Sequence, residues 1–269
     1  MRCFLALLAF NALEFPAFAA DPEPKRVEWT IGDVAREALV VAPTVKTSTP
    51  PLMFVFHGHG GTMAHAARTF AFHKQWPEAV AVYMQGLNTP GRLTDPDRKK
   101  PGWQATLGDQ KDRDLKFFDA VLASMKADYA IDDNRVYASG HSNGGGFTYL
   151  LWAARGDKFA AFGPCAATAG KDLKDLKPKP VIHVAGENDP LVKFAWQKAT
   201  IDAVRKLDGC ETEGKKWAKN ATEYPSKTGT PVVAVIHPGT HAYPDEAPAL
   251  IVKFFQQHQL SGVTKKRHG

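Results

Sequence analysis

Cysteine is scarce, with three residues in a chain of 269, too few for the dense disulfide framework that holds small secreted domains together. No stretch approaches the roughly 20 consecutive apolar residues that a membrane-spanning helix needs. No fixed-period repeat or long low-complexity tract is visible, and no nucleic-acid-binding motif accompanies the net charge of +6. The basic surplus is dispersed, apart from Lys171, Lys174, Lys177 and Lys179 and the closing Lys265-Lys266-Arg267, runs that read as solvated loops and a tail. What remains after these exclusions is a globular protein. Its 44% hydrophobic and 23% charged residues suit a chain that buries a substantial core, and its length fits one large α/β domain.

The two ends differ from the middle. Arg2, an apolar run from Cys3 to Phe10, and Ala17-Phe18-Ala19-Ala20 ahead of charged residues have the form of a secretory leader. The expected division is a signal peptide over 1–20, a single folded domain over 21–260 and a basic tail over 261–269, with the mature protein secreted or periplasmic. Cys3 would leave with the leader. Cys165 and Cys210 would then face an oxidising compartment, and a disulfide between them is the favoured expectation.

The most informative stretch is Gly140-His141-Ser142-Asn143-Gly144, a G-x-S-x-G sequence directly after the strand-like Arg135-Val136-Tyr137-Ala138-Ser139. A serine on a sharp strand-to-helix turn presents its hydroxyl above a sheet, and small flanking residues permit the turn. The other parts of a nucleophilic site follow in the order Ser, acid, His. Residues 180–185 form an apolar run that empties into Gly186-Glu187-Asn188-Asp189-Pro190, and residues 231–236 form another ahead of Pro238-Gly239-Thr240-His241. Asp189 is the expected acid, with Glu187 and Asp172 as alternatives, and His241 is the expected base. Upstream, Leu52-Met53-Phe54-Val55-Phe56 runs into His57-Gly58-His59-Gly60-Gly61, a loop suited to donate a backbone N–H to an oxyanion. That donor is expected from His59 and its partner from Asn143. His57 and His59 lack a third convincing metal ligand, so neither metal nor cofactor is expected.

The remaining pattern predicts the frame. Residues 27–33 and 36–42 read as an antiparallel strand pair turning near Gly32, and 80–84 as a further strand. Asp114 is placed to cap a helix carrying Leu115, Phe118, Val121, Leu122 and Met125. Helices are expected over 147–154, 194–207 and 247–258, and the proline-containing polar segment 85–107 is long enough to shape a substrate site. Strand-like and helix-like runs alternating from Leu52 onward predict a mostly parallel central sheet with helices on both faces in a single domain.

With these residues in hand, the chain resembles the secreted α/β-hydrolase esterases that include feruloyl esterases and the polyhydroxybutyrate-depolymerase-like group. The resemblance runs over about 51–258 and rests on His57-Gly58-His59-Gly60-Gly61, on Arg135 to Gly145, on Gly186 to Val192 and on Gly239-Thr240-His241-Ala242-Tyr243-Pro244. It departs from the group at Thr240 and Tyr243, where a glycine and a tryptophan are often found. The resemblance implies a cofactor-independent serine esterase working through a Ser142-His241-Asp189 triad on a small-molecule or polymeric ester. Trp103, Trp196 and Tyr243 are candidates to line its acyl or aromatic pocket. A serine peptidase of the same fold and a noncatalytic polymer-binding protein on a hydrolase scaffold stand as alternatives. No nucleic-acid partner and no membrane span in the mature chain are expected, and the oligomeric state is left open.

Overall fold

A computed structural model describes residues 22–91 and 93–260; the leader expected over 1–20 and the tail expected over 261–269 lie outside the described residues. The chain opens with β1 (Lys25–Ile31) and β2 (Val34–Val41), an antiparallel pair turned at Gly32, where φ is +61°. β3 (Leu52–Phe56), α1 (Met63–Phe70), α2 (Phe72–Gln75) and β4 (Val80–Met84) follow. The segment after β4 carries a two-strand ribbon of β5 (Leu87–Asn88) and β6 (Pro101–Gly102), then α3 (Arg113–Tyr129). β7 (Val136–His141), α4 (Asn143–Arg155), β8 (Ala161–Cys165), β9 (Val181–Gly186) and α5 (Phe194–Leu207) make up the centre. The hairpin β10 (Lys215–Ala218) and β11 (Ala221–Tyr224), then β12 (Val232–His237) and α6 (Ala247–Phe255), complete the described chain.

Among the described residues ten strands form one sheet in the order β1-β2-β4-β3-β7-β8-β9-β12-β11-β10. From β4 to β12 every pairing is parallel, and each edge is closed by an antiparallel hairpin. Because side chains alternate across a strand, each buried strand feeds two cores. Leu52, Phe54 and Phe56 face a core built with α3, α4 and α5, while Met53 and Val55 face one built with α1, α2 and α6. Burial on both faces explains why the parallel strands read as continuous apolar runs rather than alternating ones.

The strand β8 and the role of Asp114 depart from the sequence-based expectation. β8 contains Gly163 and Pro164, which argue against a strand interior, yet it lies between β7 and β9. Its ladder to β9 pairs only Phe162 with Val181 and Cys165 with Val184, so the interruption falls where proline lacks an N–H. Asp114 does not cap α3. Its carboxylate is fully buried and accepts from Arg36 Nη2 at 2.8 Å and from the Gln104 backbone N–H at 2.8 Å. Arg36 on β2 also donates to the Gln85 and Arg113 carbonyls and stacks 4.2 Å from the Phe117 ring. This buried ion pair therefore ties the sheet edge to α3 and to the 85–104 segment, pairing the charge it buries although Arg36 Nε has no partner.

The expected disulfide is not formed, and Cys165 and Cys210 are free thiols. Cys165 ends β8 and belongs to the core beneath α1 and α6, whereas Cys210 packs against the core on the opposite face. The sheet itself separates them.

Candidate active site

The turn from β7 into α4 is tight because two glycines let backbones meet. A Cβ on Gly140 would lie 2.4 Å from the Gly144 carbonyl oxygen, and one on Gly144 would lie 2.3 Å from that of Phe56. Between them Ser142 adopts φ 55°, ψ −118°, a conformation that L residues rarely take. Its backbone N–H donates to the Cys165 carbonyl at 2.9 Å and its own carbonyl accepts from Gly146 N at 2.9 Å, so strand and helix over-determine the strained residue. The Ser142 hydroxyl is thereby held at the carboxyl end of the central strand.

The acid and histidine loops leave the neighbouring strands β9 and β12 and are knitted to each other. Glu187 N donates to the His237 carbonyl, Asn188 N to that of Gly239, and Asn188 Nδ2 to that of Pro238. Across this seam His241 Nδ1 lies 2.8 Å from Asp189 Oδ2, and His241 Nε2 lies 2.8 Å from Ser142 Oγ. The Asp189 side chain is fully buried. Its Oδ1 accepts from the Leu191 and Val192 backbone N–H groups, each at 2.9 Å, and its Oδ2 also accepts from Gln197 Nε2 at 3.1 Å. Of the alternative acids, Glu187 is exposed, whereas Asp172 is buried along the wall of the cleft. Asp189 is the carboxylate that meets the histidine.

Two histidines that the sequence left without a role brace these loops. His141, next to the serine, has its Nε2 2.7 Å from the His241 carbonyl oxygen, and its ring centroid is 4.9 Å from that of His241. Burial holds its pKa down at about 4, so it is neutral and donates from Nε2. His57 is likewise pushed down to about 4 by burial. Its Nδ1 faces the Gly58 carbonyl at 2.7 Å, while its Nε2 accepts from Gly86 N at 3.0 Å. That pattern fixes the Nδ1–H tautomer and engages both ring nitrogens in loop structure. Among the described residues no three His, Cys, Asp or Glu side chains gather in a group that could hold a metal ion.

A cleft of about 610 Å³ opens over the serine, with Gly58, His59, Ser142, Asn143 and His241 on its catalytic wall. Leu93, Leu191 and Trp196 stand on its apolar rim, and Trp196 is 48% exposed. The 85–107 segment contributes to the wall as expected, through Gly91, Leu93, Thr94, Gln104 and Ala105. His59 is held there by Asp95, whose Oδ2 lies 3.1 Å from Nε2.

The other two aromatic candidates do not line the cleft. Trp103 is only 1% exposed; it stacks on Phe147 at 5.2 Å and donates from Nε1 to the His57 carbonyl at 2.8 Å. Asn143 explains its position, since the amide accepts from Trp103 N at 2.7 Å and donates to the Trp103 carbonyl at 3.2 Å. Trp103 is thus a clamp between the β6 segment and α4. Tyr243 turns away to lie 4.0 Å from the Phe70 ring and edge-on to His141 at 5.7 Å. Its partner comes from α1, a helix that the sequence pattern did not reveal.

No family model matches the chain. In sequence it is similar to a bifunctional acetylxylan esterase/xylanase of Neocallimastix patriciarum, 32% identical over 119 residues that make up 44% of this chain and 17% of that protein. It is also similar to feruloyl esterase D of Neurospora crassa, 30% identical over 157 residues, 54% of this chain and 52% of that one. The chain therefore spans about half the length, or less, of these curated relatives. Among solved structures, a ferulic acid esterase from Anaeromyces mucronatus in complex with ferulic acid superposes with a TM-score of 0.61 at 13% identity, covering 91% of this chain and 93% of that one. The fold is the α/β-hydrolase fold in a single domain, and the sequence similarity is to the feruloyl esterase-like group.

Proposed function

We propose that this α/β-hydrolase is a serine esterase that cleaves carboxylic esters through an acyl-enzyme, with aromatic acyl groups of the feruloyl kind as its preferred substrates. The observation that carries the reading is the unbroken hydrogen-bonded series from Ser142 through His241 to Asp189, open to a cleft with an apolar rim. Ser142 Oγ attacks the ester carbonyl carbon while His241 Nε2 accepts the hydroxyl proton, and Asp189 orients and supports the imidazolium. The tetrahedral oxyanion is received by the backbone N–H groups of Asn143 and His59, donors that cost no reorganisation. Collapse breaks the bond to the alcohol oxygen, which leaves with the proton from His241. Water then gives a proton to His241 as it attacks the acyl carbon, and collapse breaks the bond to Ser142 Oγ, which takes that proton back from His241 as the acid is released.

The substrate preference rests on shape and polarity. Leu93, Leu191 and the exposed face of Trp196 suit a planar apolar acyl group, and the relatives named for feruloyl esters support the same class. The leader-like residues 1–20 support export to the medium or periplasm. A panel of methyl ferulate, acetylated xylan, short-chain p-nitrophenyl esters, polyhydroxybutyrate and a matched peptide amide tests the reading. Methyl ferulate is expected to give the highest kcat/KM and the peptide none. Turnover of the peptide, or of polyhydroxybutyrate in preference to every small ester, would reject it.

A further inference from the structure

Behind the acid lies a buried polar series that the triad chemistry does not use. Gln197 on α5 is fully buried. Its Nε2 donates to Asp189 Oδ2 at 3.1 Å and to the Val192 carbonyl at 2.6 Å, and its Oε1 lies 3.4 Å from His183 Nε2 on β9. His183 Nδ1 in turn lies 2.7 Å from the Tyr149 hydroxyl on α4. Both side chains are about 1% exposed.

The protons of this series are determined by elimination. A carboxylate and a carbonyl oxygen accept only, so the end of Gln197 that faces Asp189 and Val192 must be its NH2 group. Its oxygen therefore faces His183, whose Nε2 must carry the proton. His183 Nδ1 is then the acceptor, and the Tyr149 hydroxyl is its donor. One polarity runs from Tyr149 through His183 and Gln197 to Asp189, using one residue from each of three elements behind the acid loop.

We infer that Gln197, set by Tyr149 and His183, is a positioning residue that fixes which Asp189 oxygen faces His241 and how much of its charge the imidazole feels. The inference rests on the Ser142-His241-Asp189 reading. Asp189 Oδ1 is saturated by two backbone N–H groups, and Oδ2 is shared between His241 and Gln197. Gln197 thus competes with His241 for one oxygen and sets the strength of the bond that matters in catalysis. Removing that competing donor leaves more negative charge facing His241. The imidazolium then persists to higher pH, and less of the enzyme carries the free base.

The other titratable groups facing this pair are His141, 4.9 Å from His241 between ring centroids, and the Cys165 thiol, which senses Asp189 from the end of β8. Burial lowers the first to about 4 and raises the second. Both therefore stay neutral over an assay between about pH 5 and 9. Asp208, which acts on Tyr149, is unchanged in the variants below.

Gln197→Met keeps side-chain length and removes the donor, and Tyr149→Phe keeps the ring while removing the remote hydroxyl. For Gln197→Met the expected result on a p-nitrophenyl ester is a kcat lowered by up to about 10-fold on the acid side of the profile, where a shift of about one pH unit leaves that much less free base. KM should be unchanged, and the acid limb of kcat/KM should move up by as much as about one pH unit. Tyr149→Phe, which touches none of the triad, should move the limb in the same direction by less. Ser142→Ala in the same assay separates the two readings, since residual full turnover there would overturn the triad itself. If Ser142→Ala is inactive while Gln197→Met shows the wild-type kcat and profile, the positioning role is wrong. A loss of amplitude with an unmoved limb and a lowered melting temperature in both variants would also overturn it, leaving Gln197 as packing only.

Discussion

Ser142→Ala is expected to lower kcat/KM on a short-chain p-nitrophenyl ester by roughly 10⁴-fold or more, with binding of substrate retained. The size follows from what the hydroxyl does alone. It is the atom that forms the covalent bond, and His241 Nε2, 2.8 Å away, has no other proton to take. The substitution leaves the Cβ and hence the strained backbone at φ 55° unchanged, so the melting temperature should match the wild type. Any activity that remains reflects what the oxyanion donors and the cleft contribute without a nucleophile. Wild-type turnover by the variant, measured with a preparation free of background esterase, would remove Ser142 from the chemistry.

Asp189→Asn should cost about 10⁴-fold in kcat, and the hydrogen bonds explain why an isosteric change does so much. Oδ1 of Asp189 accepts two backbone N–H groups, so the carboxamide must keep its oxygen there and turn its NH2 to the Oδ2 position. That NH2 then meets His241 Nδ1 and the Gln197 NH2. His241 answers by moving its proton to Nε2, which places a donor against Ser142 Oγ and removes the base. The fold should survive, because every backbone donor keeps its acceptor. A kcat within a few-fold of wild type would show that Asp189 does not hold the imidazole tautomer.

The sequence made the parallel frame and the three site loops legible for a common reason. Strands buried on both faces must be apolar throughout, and the loops after them carry the few polar residues that cannot be packed away. Leu52 to Phe56, Val181 to Gly186 and Val232 to His237 each announce a strand, and the next loop supplies Gly58-His59, Asp189 or His241. β8 was hidden by Gly163 and Pro164, which are tolerated because its ladder to β9 is already interrupted there. The short strands β10 and β11, of four residues each, lack an apolar run to mark them.

Side-chain direction was less readable than element order. Trp103 and Trp196 look alike as sequence, yet Asn143 and the His57 carbonyl draw one into the core while the other stands on the cleft rim. Tyr243 is a pocket candidate by sequence, and only the fold brings Phe70 against its ring. Cys165 and Cys210 face opposite cores, a separation that no spacing along the chain reveals. Gln197 and His183 read as ordinary helix and strand residues until the distances join them to Asp189.

The central claim is that one serine carries the acyl group. It is tested most directly by trapping the enzyme with a fluorophosphonate and locating the adduct by peptide mass spectrometry. Stoichiometric labelling of Ser142 in the wild type, lost in His241→Ala, is the predicted result. An enzyme that turns over esters yet carries the label on another residue, or carries none, would contradict it.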